Sequence, residues 1–304
     1  MMRSLTLDTT AGPVHAADYG GSGAVMLLVH GLGGSHLNWL SVGERLARQR
    51  RIVAIDLPGF GRTPAAGRGF TMADHVAVLE AVIRELEDEQ LTLVGNSMGG
   101  LLSIALAARR PSNLGAAVLV NPAVPPPRRT GFGLDMITRN AILAYGLPTP
   151  ASIRLKRLAD KRGAERLVGD ILSLCAFDVR RIDAAVMAAH VQLERERLRV
   201  PDWHVPVFGA ARSLLRTLAR RRRFEDWVAQ VTAPTLLLHG THDRVVSPQS
   251  ALALAALRPD WEVELLEDVG HVPMLEAPEQ FVDIVEAWLA RAAVHGMAEQ
   301  AGIA

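Results

Sequence analysis

The sequence has very little cysteine, since Cys175 is the only one among 304 residues. A single cysteine cannot form an internal disulfide, and it excludes a metal site built from several thiolates. We expect Cys175 to be a buried thiol that packs as a small apolar side chain.

The sequence also lacks a long apolar run. No uninterrupted stretch approaches the roughly 18 to 20 residues that cross a bilayer, so no membrane span is predicted. The first 20 residues lack the apolar centre of a secretory signal peptide, because they include Arg3, Asp8, His15 and Asp18. These absences predict a cytoplasmic protein.

An excess of charge of one sign is missing as well. The 33 Lys and Arg residues nearly balance the 32 Asp and Glu residues, which leaves a formal net charge of +1. Such a chain has no overall field that would attract nucleic acid, acidic membranes or polyanionic substrates. We therefore expect a weakly charged small molecule as the partner, and a monomer or small homo-oligomer as the assembly.

Apolar residues are plentiful, at 49% of the chain, and their pattern alternates along it. Short apolar runs predict strands at residues 14–19, 24–29, 51–55, 91–94, 116–120, 235–238 and 262–266. Apolar residues spaced three and four apart predict helices at residues 37–49, 72–87, 98–109, 248–257 and 278–292. This alternation is typical of an α/β fold with a doubly wound, mostly parallel sheet.

The alternation stops between residues 122 and 231, where helical periodicity continues without a convincing strand. We interpret residues 122–231 as an inserted helical domain, and residues 1–121 and 232–304 as the α/β core. The insert contains four large side chains that have two alternative interpretations, since they either line an acyl pocket or simply pack within the insert. They are Met136, Phe177, Met187 and Trp203.

The insert also holds the densest charge run of the chain, from Arg216 to Arg223. We expect this run to be a solvated helix face. Binding of an anionic group or of a carrier protein is the alternative.

The sequence Gly95-Asn-Ser97-Met-Gly99 fits the pattern G-x-S-x-G and lies between a predicted strand and a predicted helix. That context is typical of a nucleophile elbow, which exposes a serine above the carboxyl ends of the strands. Gly95 and Gly99 leave room for the close backbone approach. The alternative is that Ser97 only caps the helix that begins near Met98.

A nucleophilic serine needs a histidine as base, and the histidine needs an acid that holds its tautomer. Asp243 follows one predicted strand and His271 follows the last, so both lie at the edge of the sheet where active residues of such folds converge. Ser97, Asp243 and His271 are therefore the predicted catalytic residues. The competitors for the acid position are Asp56, Asp268 and the neighbouring His242, and His271 taken alone would be a surface histidine.

Several motifs in this order resemble the α/β-hydrolase superfamily, in its branch with a helical cap. They are His30-Gly-Leu-Gly-Gly34, Asp56-Leu-Pro-Gly-Phe-Gly61, residues 95–100, Gly240-Thr-His-Asp243 and residues 270–279. The resemblance extends over about residues 14–292, except for the insert. It implies an α/β-hydrolase fold, hydrolase activity and a cap formed by residues 122–231.

The same resemblance implies an oxyanion hole formed by the backbone N–H groups of Leu32 and Met98. Gly31 would let the loop bend toward the substrate, and His30 is expected to shape that loop rather than to catalyse. Some superfamily members carry the acid after the preceding strand, where this chain has Asn121 and no carboxylate. His239 and His242 could suggest a metal, but no cluster of acids and histidines supports one, so neither a metal nor a cofactor is predicted.

The nucleophile separates the subclasses. Superfamily members that open alkyl centres, the haloalkane dehalogenases and epoxide hydrolases, use an aspartate at the elbow, whereas Ser97 suits acyl transfer. The leading hypothesis is a carboxylesterase or lipase-like enzyme for a fairly apolar substrate. Lactones, thioesters and carbon–carbon bonds of ring-cleavage products remain alternatives, although carbon–carbon hydrolases often have a tryptophan where this chain has Val272. A ligand-binding relative without turnover is the alternative from another class.

Overall fold

The computed structural model describes residues 2–86, 90–127 and 149–300. Its strands form one eight-stranded sheet in the order β1-β2-β4-β3-β5-β6-β7-β8. β1 pairs antiparallel with β2, and β2 pairs antiparallel with β4, while every other pair is parallel. The strands are β1 Arg3–Thr9, β2 Gly12–Gly20, β3 Val25–Val29, β4 Arg51–Ile55, β5 Leu91–Asn96, β6 Leu114–Val120, β7 Thr235–Gly240 and β8 Glu262–Leu266. The predicted doubly wound, mostly parallel sheet is confirmed.

Helices cover both faces of this sheet, as the uniformly apolar strands require. Alternate residues of a strand point to opposite faces, and in β3 Met26 and Leu28 join one core cluster while Leu27 and Val29 join the other. The helices outside residues 122–231 are α1 Gly43–Leu46, α2 Met72–Glu85, α3 Met98–Ala107, α8 Pro248–Ala255, α9 Pro273–Glu276 and α10 Pro278–Gln300.

Two parts of the sequence prediction differ from this fold. Strand β1 was not predicted, because it is an edge strand whose side chains stay partly exposed and give no apolar run. The predicted helix at residues 37–49 is wrong in extent, since the chain forms a 3-10 turn at His36–Trp39 and then the short α1. Ser35 and Asn38 form a reciprocal capping box at the start of that turn.

Between β6 and β7 the described residues form helices and no strand. These are α4 Thr149–Cys175, α5 Ala184–Leu198, α6 His204–Ala219 and α7 Arg221–Gln230. α4 is broken at Gly163, where φ is 76°. None of the described helices combines the length and the apolar character that crossing a bilayer needs. The division into a core and a cap at residues 122–231 stays a prediction.

Candidate active site

Ser97 lies at the junction of β5 and α3 with φ of 55° and ψ of −116°, a conformation that non-glycine residues rarely adopt. Its backbone N–H donates to the carbonyl of Val120 at 3.0 Å, which ties the turn to the neighbouring strand. Although Ser97 precedes α3, its hydroxyl makes no capping hydrogen bond to that helix. The side chain of Ser97 therefore does not cap α3. Residues in strained backbone conformations of this kind cluster at functional sites.

The two glycines of the elbow allow main chains to approach closely. A Cβ atom on Gly95 would lie 2.3 Å from the carbonyl oxygen of Gly99 and 2.4 Å from Oγ of Ser103. A Cβ atom on Gly99 would lie 2.3 Å from the carbonyl oxygen of Val29. These separations are far below van der Waals contact, so the elbow requires glycine at both positions.

The substitution Gly95→Ala tests this packing. We expect it to lower the free energy of unfolding by about 1 to 3 kcal/mol, the usual cost of adding a methylene to a close-packed interior. Urea unfolding followed by circular dichroism measures the loss. Gly33→Ala is not a suitable control because of its positive φ, but Gly169→Ala is, since nothing lies within 4 Å of a Cβ atom there. A Gly95→Ala variant as stable as the wild type would contradict the packing argument.

Asp243 and His271 are both buried and in direct contact. His271 Nδ1 lies 2.7 Å from Oδ2 of Asp243, and because an ionised carboxylate only accepts, Nδ1 is the donor. The same oxygen accepts a hydrogen bond from Nδ2 of Asn121 at 2.7 Å. The other oxygen, Oδ1, accepts from the backbone N–H groups of Val245 and Val246 at 2.7 and 2.9 Å.

These donors decide the charge of Asp243. Burial alone would raise the pKa of this carboxyl, but the charge of His271, its hydrogen bond and the contacts of His239 and Asn121 outweigh burial and lower the pKa below the usual value. Asp243 is therefore ionised at neutral pH and can hold His271 in the tautomer with a proton on Nδ1.

Ser97 is linked to His271 through its neighbour Asn96. Nδ2 of Asn96 donates to the carbonyl of Val120 at 3.2 Å and to the carbonyl of His271 at 3.1 Å. Among the described residues, the Ser97 hydroxyl makes no hydrogen bond to the His271 ring. Such bonds are often long in unliganded enzymes and tighten with substrate. The structure thus joins Asp243 and His271 directly and brings Ser97 to the same edge of the sheet.

The predicted oxyanion loop forms a turn in which the N–H of Gly34 donates to the carbonyl of Gly31 at 3.1 Å, with Gly33 at φ of 74°. Gly31 lies beside the elbow, because a Cβ atom on it would be 3.0 Å from Cβ of Ser97. Within the described chain, no protein acceptor takes the N–H of Leu32 or of Met98. Both groups are therefore available to a bound ligand.

His30 occupies a buried position beneath this loop. Its Nδ1 contacts the carbonyl of Gly31 at 2.7 Å, and its Nε2 accepts the backbone N–H of Leu57 at 3.0 Å. Burial lowers the pKa of His30, so the ring is neutral at neutral pH. Both ring nitrogens are used within the protein, which fits the expected loop-shaping role.

The aspartates that compete for the acid position pair with histidines other than His271. Asp268 is largely exposed, and Nδ1 of His242 lies 3.7 Å from its carboxylate. Asp56 is fully buried and binds two histidines at another point of the fold, with His15 Nδ1 at 2.8 Å and His36 Nδ1 at 2.9 Å from Oδ2. Among the described residues, His15, His36 and Asp56 form the one group of three that could hold a metal ion. Mutual hydrogen bonding between the carboxylate and the two rings accounts for this arrangement without an ion.

The Asp56 carboxylate also accepts the backbone N–H groups of His36 and Arg62 at 2.7 and 2.8 Å. Burial by itself would raise the pKa of Asp56, but the hydrogen bonds from His15 and His36 outweigh it, and the pKa lies well below the usual value. The carboxylate therefore joins β2, the 3-10 turn and the loop after β4 as a single buried anion.

We expect Asp56→Asn to lower the free energy of unfolding by about 3 kcal/mol near neutral pH, because the buried donors lose their charged acceptor. Since the folded-state pKa is depressed, this stabilisation is present above the unfolded-state pKa of about 3.9 and is lost as pH falls through the folded-state pKa. Urea unfolding of both proteins should thus show a difference that shrinks below about pH 4. A difference that is constant with pH would contradict a role for the charge.

The side chains considered for an acyl pocket differ in their surroundings. Met187 packs against a core cluster, Phe177 is partly exposed beside His242, and Trp203 is buried with the Arg197 guanidinium over its ring. Met136 lies outside the described residues. Cys175 is half-buried, and desolvation followed by the charge of Asp243 raises its pKa to about 12, so it remains a neutral thiol.

The arginine run does not form one helix face, because it crosses the junction of α6 and α7 at Arg220. Arg221 contacts the carbonyl of Pro126 and lies 3.8 Å from Glu225, and Arg223 stacks over Trp227. The run is largely solvated, as expected, because Arg216, Arg220, Arg222 and Arg223 are exposed, but it spans two helices and does not form one helix face.

Sequence reasoning missed the supporting roles of Asn96 and Asn121. Asn121 was considered only as a position without a carboxylate, yet its amide binds the carboxylate of Asp243. The one local signal is that Asn121 directly follows a buried parallel strand, and this position alone does not reveal its contact with Asp243.

Comparison with known proteins identifies the family of this chain. The family described as the alpha/beta hydrolase fold matches residues 24–278. The chain is similar to the 2-hydroxymuconate semialdehyde hydrolase of Pseudomonas sp. (strain CF600), with 30% identity over 90% of this chain and 89% of the relative. It is also similar to Lipase 1 of Psychrobacter immobilis, with 24% identity over 94% of this chain and 83% of the relative.

Among solved structures, the fold is similar to that of a thermophilic esterase from Thermogutta terrifontis. The TM-score is 0.68 with 22% identity, and the match covers 95% of this chain and 99% of the esterase. The match of the family over most of the chain, together with the sheet order, establishes that this chain belongs to the α/β-hydrolase family.

Proposed function

We propose that this protein is a serine hydrolase that cleaves a carboxylic ester of a fairly apolar small molecule. The observation that carries the proposal is the buried Asp243–His271 pair, with its 2.7 Å contact, at the sheet edge where Ser97 occupies a strained elbow. An imidazole oriented by an ionised carboxylate is the base that a serine hydroxyl needs. The similarity to a lipase and to an esterase supports the same chemistry.

In the proposed reaction, Oγ of Ser97 attacks the ester carbonyl while Nε2 of His271 takes the hydroxyl proton. Asp243 stabilises the imidazolium that forms, and the N–H groups of Leu32 and Met98 bind the negative oxygen of the tetrahedral intermediate. His271 then gives its proton to the leaving alkoxide, which departs as an alcohol. Water, activated by His271, attacks the acyl-Ser97 ester and releases the carboxylic acid.

Residues 122–231 would cover this site as a helical cap. The insert reaches the site because the backbone N–H of His271 donates to the carbonyl of Cys175, at the end of α4. A cap of this kind would shield the site from bulk solvent and would supply most of the substrate contacts.

A second candidate is hydrolysis of a carbon–carbon bond beside a ketone. The relative named 2-hydroxymuconate semialdehyde hydrolase favours it, since this relative is 30% identical to the chain whereas Lipase 1 is 24% identical. Val272 after the histidine argues for the ester, because carbon–carbon hydrolases often carry tryptophan there.

A substrate panel separates the two candidates. Purified protein is assayed with nitrophenyl esters of short and medium chain length, a lactone, a thioester and a ring-cleavage diketone. We expect the highest kcat/KM with an ester. A diketone that is hydrolysed far more efficiently than every ester would replace the first candidate with the second, and no turnover of any compound would favour a ligand-binding protein.

A further inference from the structure

Glu276 is a buried carboxylate that takes part in no step of the proposed reaction. It ends α9 and is 3% exposed. Its Oε2 accepts the backbone N–H groups of Gly270 at 2.8 Å and Phe177 at 3.1 Å, and its Oε1 accepts that of Asp178 at 2.7 Å. Because a buried charge is costly unless it is paired or hydrogen-bonded, these three bonds are what keep the carboxylate in place. Glu276 thus joins the residue before His271 to the chain that follows α4.

Arg244 makes a parallel connection from the residue after Asp243. Its guanidinium Nη2 donates to the carbonyl oxygens of Ser173 and Ala176, which belong to the last turn of α4 and the residue after it. Charged donors form stronger hydrogen bonds than neutral ones. Arg244, which follows Asp243, and Glu276, which binds the residue before His271, therefore both bind residues 173–178, which we call the connecting segment.

The connecting segment also contacts the His271 loop through main-chain atoms. The N–H of His271 donates to the carbonyl of Cys175 at 2.6 Å. A Cβ atom on Gly270 would lie 2.3 Å from that same carbonyl oxygen and 2.6 Å from the nitrogen of Phe177. The connecting segment and the His271 loop are thus packed backbone to backbone, so a shift of one segment moves the other.

A purely structural explanation is that these bonds only attach the insert to the core. Arg258, at the other end of the insert, provides a comparison, because its contacts attach the insert without involving the candidate site. There Nη1 of Arg258 donates to the carbonyls of Val228 at 2.6 Å and Val231 at 2.8 Å. Arg258 binds main-chain carbonyls as Arg244 does, but it is not adjacent to any predicted catalytic residue.

We propose that Glu276 is a positioning residue for His271, and that Glu276 and Arg244 couple the geometry of the Asp243–His271 pair to the helical insert through the connecting segment. This inference rests on the proposed function for its catalytic consequence. Substrate that moves the insert would then alter the orientation of the base, so binding under the insert and proton transfer are linked.

The test compares Glu276→Leu, Glu276→Gln, Arg244→Met and Arg244→Lys with two controls. Glu279→Gln removes an exposed carboxylate that pairs with Arg45, and Arg258→Met removes the carbonyl contacts at the other end of the insert. The first measurement is the far-downfield proton NMR signal of the His271 Nδ1–H bonded to Asp243, identified by its loss in Asp243→Asn. The second is kcat and KM for a nitrophenyl ester.

We expect Glu276→Leu to broaden or shift this signal and to lower kcat by about 100-fold, the typical effect of a displacement of about 1 Å, with KM changed by less than about twofold. Glu276→Gln keeps an oxygen that accepts from Gly270 and Phe177, but its NH₂ group faces the N–H of Asp178. We therefore expect kcat to fall about tenfold. Arg244→Lys should retain most activity because it still donates, whereas Arg244→Met should not. The two controls should keep the wild-type signal and kcat, even where Arg258→Met lowers the melting temperature.

Folded Glu276 variants, checked by circular dichroism, that keep both the signal and kcat would overturn the inference. If Glu276→Leu does not fold, Glu276→Gln decides by the same two measurements. The NMR measurement needs no turnover, so a wild-type protein that is inactive on every ester would refute the proposed function while the coupling is still decided by the signal.

Discussion

The Ser97→Ala variant should lower kcat for a nitrophenyl ester by at least about 10⁴-fold, because removal of the nucleophile in serine hydrolases leaves only the catalysis given by the oxyanion hole and binding. Alanine removes Oγ and nothing else, and the hydroxyl of Ser97 makes no capping bond to α3 that the fold would lose. KM should change little, because the acyl and alcohol contacts of the substrate remain. Steady-state kinetics on short and medium esters measures both constants.

Ser103→Ala is the matched control for this result. Ser103 lies on the same helix, and its buried hydroxyl donates to the carbonyl of Gly99 at 2.8 Å. Its loss should leave kcat within about threefold of the wild type, since a backbone-bonded helix serine contributes only about 1 kcal/mol to stability. Equal rates for wild type and Ser97→Ala would refute the proposed nucleophile.

The second large effect is expected from Asp243→Asn, which should lower kcat by about 10⁴-fold while the fold is retained. In the wild type, Oδ1 faces the N–H groups of Val245 and Val246, and Oδ2 faces His271. An asparagine that keeps its oxygen on the two backbone donors must point its NH₂ group at Nδ1 of His271. The ring then carries its proton on Nε2 and cannot accept the proton of Ser97.

Asp268→Asn provides the control, because Asp268 was the competing acid near the same loop. Its side chain is exposed, and its φ of 54° is one that asparagine adopts readily. We expect wild-type kcat from this variant. A large loss in Asp268→Asn with little loss in Asp243→Asn would reverse the assignment of the acid.

The depressed pKa of Asp243 adds a condition on pH. Because its pKa lies below the usual value of about 3.9, Asp243 should not become protonated as pH falls from 7 toward about 5. Any loss of activity over that interval therefore has another origin than this carboxyl.

Much of the fold could be predicted because it depends on local patterns. The runs of β3 to β7 are mostly apolar, so they identify strands buried on both faces, and the G-x-S-x-G sequence identifies its own turn. The order of serine, acid and histidine along the chain then places the candidate triad at one sheet edge. The prediction failed where the local signal was weak, as in the partly exposed edge strand β1.

Other features could not be predicted because they depend on contacts between distant residues. Asn121 binds Asp243 across 122 positions of sequence, and Glu276 binds Phe177 across 99. Neither residue differs locally from an ordinary polar residue after a strand or within a short helix. Only the packing of the insert against the His271 loop reveals that Glu276 is buried and that three backbone N–H groups donate to its carboxylate.

The most direct test of the central claim is labelling with a fluorophosphonate probe, followed by mass spectrometry of the tryptic peptides. A hydrolase with an activated serine should take up one equivalent of probe, and the adduct should map to Ser97. Prior substitution of His271 by alanine should abolish labelling, because the unassisted hydroxyl is a poor nucleophile. A wild-type protein that takes up no probe, or takes it up at another residue, would contradict the account.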